Sequence, residues 1–274
     1  TMYILYSDTY EEVAHTNKKL RFLCLPGMHV DVFIRLFANT DHEALRDLLH
    51  AVRDKIRSAK HVRLTSTAGE DIEFDNHPDY PINARDGYAD EPGTFMLAGM
   101  ISWTPDLDTV NGVIAIDGSL VPQFGVLEQP VKIYMKNGVI DHVEGGAIAE
   151  QWEKYMRDFQ HPQMLRPAHV CVGFHPNAKL TGQLGEDERI YGGSQWGFGA
   201  IGSFLMPPNG IPAPSHIDAT CLRVSIYLDG VAITQDGEIV DEELKKYAAR
   251  LGKIDKKRLM RGKNIRGLDG AISG

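Results

Sequence analysis

Apolar positions along this chain follow two rhythms, and the change of rhythm divides it. Between His42 and Ala59 they recur at three- and four-residue spacing. Leu45, Leu48, Leu49, Val52 and Ile56 therefore share one face, which predicts an amphipathic helix capped by Asp41. The short apolar run Leu20 to Leu25 ends at Pro26-Gly27 as a strand ends at a turn. His61 to Ser66 and Asp71 to Phe74 read as two strands around a Thr-Ala-Gly-Glu turn, so Met2 to Asp75 reads as α/β. Asn76 to Gly93 is polar and rich in Pro, Asp and Asn, a linker or a long functional loop. Beyond it strand signals dominate: Phe95 to Trp103, Gly112 to Asp117, Val131 to Val143 with a tight turn at Asn137-Gly138, His169 to Gly173 and Leu222 to Leu228. Two helices interrupt them, Ala147 to Phe159 (Ile148, Trp152, Tyr155 and Met156 on one side) and Glu242 to Leu251. The fold class expected is α/β: a small N-terminal α/β domain over residues 1–88, then a larger β-rich α+β metal-binding domain over 89–274.

A chain of 274 residues has enough volume for a proper core. Its formal charge of −8 argues against general nucleic-acid affinity. No apolar run is long enough to cross a bilayer, and the start lacks the basic and apolar regions of a signal peptide. Cys24, Cys171 and Cys221 are widely spaced, which predicts buried thiols in a reducing cytoplasm and no disulfide framework. The basic tail from Lys253 to Arg266 reads as a solvated or subunit-contacting segment.

Candidate chemistry concentrates between Gly173 and Cys221. His216 and Asp218 form an H-x-D pair, and on extended backbone both side chains point the same way. A third ligand from another strand completes one face of a divalent ion, and His175, at a strand-to-loop break before Pro176, is the first choice. Two imidazoles and a carboxylate are the ligand set of mononuclear iron(II) oxygenases. Of the acids Glu186, Asp187 and Glu188, the last is favoured as a base or as the partner of a ligand histidine. Gln195 and Trp196 are candidates for a hydrogen bond to substrate and for a flat apolar wall, with Asn177 and Tyr191 as further polar candidates. The proline-rich stretch 207–214 has the composition of a stiff lid or connector beside the site.

The segments GFHPNAKLTG, EDERIYGGSQWGFG and SHID, with NGVIAIDGSL, VKIYMKNGVIDHVEGG and LTSTAGEDIEF before them, resemble a superfamily with two branches. One comprises the aminopeptidase T-like leucyl aminopeptidases, which use two metal ions. The other comprises the 2,5-dihydroxypyridine 5,6-dioxygenases, which use one iron(II). The resemblance runs from about Ala89 to Val240. It implies acids or histidines in the peptidases where this chain has Thr94 and Gln195, which favours the one-metal branch. A ring-cleaving iron(II) dioxygenase is then expected, with His175, His216 and Asp218 as ligands, Glu188 handling the proton of a ring hydroxyl, and a hydroxylated N-heteroaromatic or phenolic ring and O2 as substrates. The alternative is an aminopeptidase with a zinc, cobalt or manganese pair, and a non-catalytic relative is the third reading. A homo-oligomer is expected in either branch, because the first α/β part is short and leaves apolar surface to cover.

Overall fold

The computed structural model describes residues 5, 7–25, 29–38 and 40–252. The turn expected at Pro26-Gly27 and the basic tail from Lys253 lie outside the described residues. Two antiparallel sheets dominate. The eight-stranded sheet runs, in spatial order, Val139–Glu144, Val131–Lys136, Asn111–Ile116, Asp71–Asp75, His61–Thr65, Ser225–Leu228, Val231–Gln235 and Glu238–Ile239. The seven-stranded sheet runs Asn83–Arg85, Met100–Trp103, Pro167–Gly173, Ser194–Ile201, Ile211–Cys221, Ser119–Val121 and Gly125–Val126. A parallel pair, Arg21–Cys24 with Gly93–Met96, lies outside both.

Alternation along the seven-stranded sheet sorts its residues between two faces. Ile101, Trp103, Val170, Trp196, Phe198, Ile217 and Ala219 point to one side and are buried in a single core with residues of the other sheet. Phe74 of the eight-stranded sheet meets Trp196 edge-on at 5.6 Å and Trp103 at 6.2 Å. These aromatic contacts join the two sheets into one core. The helix His42–Ser58 forms as its spacing predicts. The Asp41 carboxylate accepts from the Ala44 N–H at 2.9 Å, and Leu45, Leu48, Leu49, Val52 and Ile56 are fully buried. The helix Ala147–Asp158 buries Trp152 and Met156. Asn137 and Gly138 both have positive φ (49° and 70°), as a two-residue hairpin turn requires.

The segment expected as one strand from Phe95 to Trp103 is broken. Gly93–Met96 pairs with Arg21–Cys24, while Met100–Trp103 joins the large sheet. The break falls at Gly99, whose φ is +124° and where a Cβ would lie 2.6 Å from the Cβ of His175. The boundary expected after residue 88 is crossed by the eight-stranded sheet: Asp71–Asp75 pairs with Asn111–Ile116, and His61–Thr65 with Ser225–Leu228. Within the polar stretch 76–93, Asn83–Arg85 forms the edge strand of the seven-stranded sheet.

One buried acid in this core yields a stability prediction. Glu70 is 2% exposed and accepts from the Trp196 indole N–H at 3.2 Å. Burial pushes its carboxyl from 4.5 up to about 8. The folded state therefore holds a proton that the unfolded chain has lost. The stability this contributes is complete below the unfolded value and disappears as pH rises through about 8, at about 1.4 kcal/mol per pH unit within that window. Glu70→Gln keeps an acceptor for the indole and cannot ionise. Denaturant midpoints measured between pH 5 and 8.5 are expected to fall less for the variant than for the wild type. Parallel profiles would show that Glu70 does not carry this dependence.

Candidate metal centre

The second face of the seven-stranded sheet is polar where the first is apolar. In register across three strands lie His169, Gly197 and Asp218, with His216 opposite Gly199. The result is a cluster of His169, His216 and Asp218, all buried, whose donor atoms lie within 4.8 Å of one another. His169 Nε2 is 3.1 Å from His216 Nε2, and Asp218 Oδ1 is 3.5 Å and 3.4 Å from these two nitrogens.

Glycine makes this convergence possible. A Cβ on Gly197 would fall 2.4 Å from His169 Nε2. Without it, the imidazole lies across the neighbouring strand and reaches the H-x-D pair beyond. His216 Nδ1–H donates to the Ala200 carbonyl at 2.7 Å, which turns Nε2 into the cluster. His169 Nδ1 lies 3.4 Å from Cys171 Sγ, a thiol that burial keeps well above its ordinary pKa and hence protonated.

The electrostatics are those of a ligand set. Burial raises the Asp218 carboxyl, but the facing His216 and His169 rings outweigh it and hold the group well below the usual carboxylate range. Burial lowers His216, but the Asp218 carboxylate outweighs it and the net shift is upward. Among the described residues, Asp218 Oδ1 has no donor in good hydrogen-bonding geometry. An orphaned carboxylate oxygen beside two imidazole nitrogens is what a cation resolves. The triangle also has the right size: neighbouring ligands about 2.1 Å from an octahedral ion stand about 3.0 Å apart. These residues fit a single divalent metal.

His175 is placed elsewhere. Its Nδ1 accepts from the Asn177 N–H at 3.1 Å, so Nε2 carries the proton and donates to the Leu36 carbonyl at 3.0 Å. Both ring nitrogens are occupied, and burial lowers its pKa to about 3, so the ring is neutral and ties the helix Val30–Phe37 to the sheet end. The H-x-D pair lies together as expected, within the strand Ile211–Cys221, and the histidine that joins it is His169. The sequence marks His169 to Gly173 as a strand and singles out no ligand within it. Two signals point to 169: a histidine in an otherwise apolar strand, and the alternating glycines at 197 and 199 that clear the sheet between it and the pair.

The other candidates divide between the two faces. Glu188 lines a small cavity of about 20 Å³ with His169, Cys171, Ser102, Met100 and Leu205, and its carboxylate pairs with Arg189. Its neighbours are structural. Glu186 is held by both arms of Arg35 at 2.7 Å. Asp187, pushed up to about 7 by burial, accepts from the Ser119 hydroxyl and from the Thr181 and Gly182 N–H groups. Gln195 is on the face of the cluster, fully buried, with neither amide atom hydrogen-bonded among the described residues. Trp196, the next residue in the strand, points to the opposite face and is core, so it cannot wall the same site. Asn177 donates to the Thr40 hydroxyl, and Tyr191 packs edge-on against Phe174 at 5.8 Å. The proline-rich stretch becomes strand from Ile211 onward, so only its first part is a loop.

Comparison with known proteins places this geometry. The family model described as NicX, 2,5-dihydroxypyridine 5,6-dioxygenase, matches residues 1–241. A 2,5-dihydroxypyridine 5,6-dioxygenase of Pseudomonas putida KT2440 is 27% identical over 254 residues, 89% of this chain and 70% of that protein. The solved structure of 2,5-dihydroxypyridine dioxygenase from Pseudomonas putida KT2440 superposes with a TM-score of 0.74 at 23% identity, covering 87% of this chain and 70% of the other. Wild-type AmpT from Thermus thermophilus gives 0.57 at 14% identity over 77% and 58%. Both branches of the superfamily thus share the fold, and the family match decides between them: this chain belongs to the 2,5-dihydroxypyridine 5,6-dioxygenase family.

Proposed function

We propose that this chain opens the ring of 2,5-dihydroxypyridine, or of a closely related hydroxylated N-heteroaromatic or phenolic ring, with dioxygen as co-substrate, at one iron(II) held by His169, His216 and Asp218. The observation that carries the reading is the buried triangle of two imidazole nitrogens and one orphaned carboxylate oxygen, in a chain of this family. An ion bound on one face by three such ligands keeps its opposite face open to reactants. Iron(II) bound there supplies the one-electron chemistry that lets dioxygen react with a ring.

The chain's own residues do the rest. The Ala200 carbonyl fixes the orientation of the His216 ring. Glu188, on the cavity wall beside His169, is the group placed to take the proton of a ring hydroxyl, and Arg189 holds its carboxylate in one orientation. Met100, Phe204 and Leu205 give the same cavity apolar walls. An aminopeptidase needs a second ion. Thr94 is hydrogen-bonded to Tyr10 and Gln195 offers only an amide, so neither supplies an acid for one.

Oxygen uptake on anaerobically iron-loaded protein tests the reading. One iron per chain and one O2 consumed per dihydroxypyridine are expected. Chelation is expected to reduce uptake below about 1%, with iron(II) and not zinc restoring it. Fully iron-loaded protein that consumes no oxygen with 2,5-dihydroxypyridine or its ring analogues would sink it. So would two ions per chain together with release of leucine from a peptide.

A further inference from the structure

The chamber beside the histidine cluster is too small for a ring. Its volume, between His169, Cys171 and Glu188, is about 20 Å³. That is room for about one water molecule or one diatomic gas molecule, whereas an apolar cavity of about 150 Å³ takes benzene. A second cavity, of about 400 Å³, lies alongside, in the range of small-molecule sites. Its walls come from the helix His42–Ser58 and from the stretch 82–95. Two residues belong to the walls of both cavities, Met96 and Phe204. Beside them the partition is completed by a hydrogen bond at 2.9 Å, from Arg85 Nε on the side of the large cavity to the Ser102 hydroxyl on the side of the small one.

Both shared side chains have space to turn. Phe204 is half-buried and sits in the turn that joins Ser194–Ile201 to Ile211–Cys221, the strand that carries His216 and Asp218. The backbone of that turn is held in place. The Leu205 and Met206 N–H groups donate to the Gly202 carbonyl at 3.0 and 3.1 Å, and the Ser203 hydroxyl donates to the Glu11 carboxylate at 2.7 Å. The Phe204 ring folds back over Gly202, where a Cβ would lie 2.3 Å from its Cε1. The Arg85 guanidinium lies 5.3 Å from the ring centre, a cation–π contact that favours this position. Met96 is unbranched and adapts its shape through three rotatable bonds. A close-packed interior gives a buried side chain nowhere to swing. Here each of the two has a void on either side.

We propose that Phe204 and Met96 form a gate between a vestibule, the large cavity, and the metal chamber. A ring passes from the vestibule to the histidine cluster only when the Phe204 ring turns aside and the two cavities merge. A diatomic gas fits the chamber with the gate closed. The inference rests on the metal reading of the histidine cluster and adds the route by which a ring reaches it. Phe204 is then a residue that selects by size.

Anaerobic stopped-flow on the full chain loaded with iron(II) tests the gate with two probes. Nitric oxide is diatomic and binds iron in place. Bipyridine is flat, neutral and built of two rings, and it colours when it captures iron(II). In the wild type, capture is expected to level off with bipyridine concentration, because opening of the gate limits it. In Phe204→Ala, capture is expected to be at least about tenfold faster and to keep rising with concentration, while nitric oxide binding changes by less than about twofold. Met96→Ala thins the same partition and is expected to act in the same direction, which keeps the test decisive if Phe204→Ala fails to fold. Leu205 lines the small chamber and not the vestibule, so Leu205→Ala is expected to leave capture unchanged. Unchanged capture in the gate variants, nitric oxide accelerated as much as bipyridine, or equal acceleration by Leu205→Ala would each overturn the proposal. Both probes are read without oxygen or ring cleavage, so the gate can stand where the oxygen-uptake experiment fails, and fall where that experiment succeeds.

Discussion

His169→Ala is expected to abolish metal loading while His175→Ala leaves it intact. In the first variant one imidazole edge of the triangle is gone, and the remaining His216 and Asp218 offer only two ligands at 3.4 Å. Iron content is expected to fall from about one per chain to below about a tenth, and oxygen uptake to below about 1%. Removal of the ring also takes away one of the two groups that lower Asp218, whose carboxyl is expected to titrate closer to its ordinary range. His175→Ala acts differently. It deletes a buried ring that donates to Leu36 and accepts from Asn177, and leaves both partners to find water or remain unpaired. A loss of about 2–4 kcal/mol in unfolding free energy is expected, with iron stoichiometry unchanged in the fraction that folds. Iron analysis and chemical denaturation on both variants separate the two effects. A folded His175→Ala protein without iron, beside a His169→Ala protein that keeps it, would return position 175 to the metal.

The contrast between these two histidines shows what the sequence carries and what it leaves to the fold. The H-x-D pair is legible because both ligands lie on one strand, and alternation alone puts them together. The helix His42–Ser58 is legible for a similar reason: its cap, its period and its buried face all lie within one segment. The third ligand depends on which strand lies two places away and in what register, and nothing local to Pro167–Gly173 specifies that pairing. His175 sits at a strand end before a proline, a place that suits a ligand, but strand ends are also where side chains fix neighbouring elements, and Leu36 is such a neighbour. Trp196 was within reach of sequence reasoning, since residues 195 and 196 of one strand cannot both face the same site. The acids at 186–188 look alike in sequence. Only the fold gives Glu186 to Arg35, Asp187 to Ser119 and Glu188 to the cavity. The stretch 76–93 reads as polar connector, yet it supplies the edge strand from which Arg85 projects.

Gly197→Ala is the sharpest test of the cluster, because it changes neither a ligand nor a charge. The added Cβ would stand 2.4 Å from His169 Nε2, 2.6 Å from Cδ2 and 2.9 Å from Cε1, so the clash is with the ring itself and not with a flexible end. Normal carbon–nitrogen contact needs about 3.5 Å, so the imidazole must move by about 1 Å. Ligand geometry tolerates about half that. Alanine is otherwise compatible with an interior strand position, and the apolar core lies on the opposite face, so the sheet is expected to form. Iron stoichiometry is expected to fall to no lower than in His169→Ala, toward about a tenth per chain, and oxygen uptake toward about 1%, with a denaturation midpoint close to that of the wild type. A double variant locates the cause. If the methyl group acts only by displacing the imidazole, Gly197→Ala adds no further loss of iron binding to His169→Ala, and the two effects are fully non-additive. Normal iron loading by Gly197→Ala would mean that the His169 ring does not lie over this glycine when the metal is bound, and the triangle would have to be rebuilt from another donor.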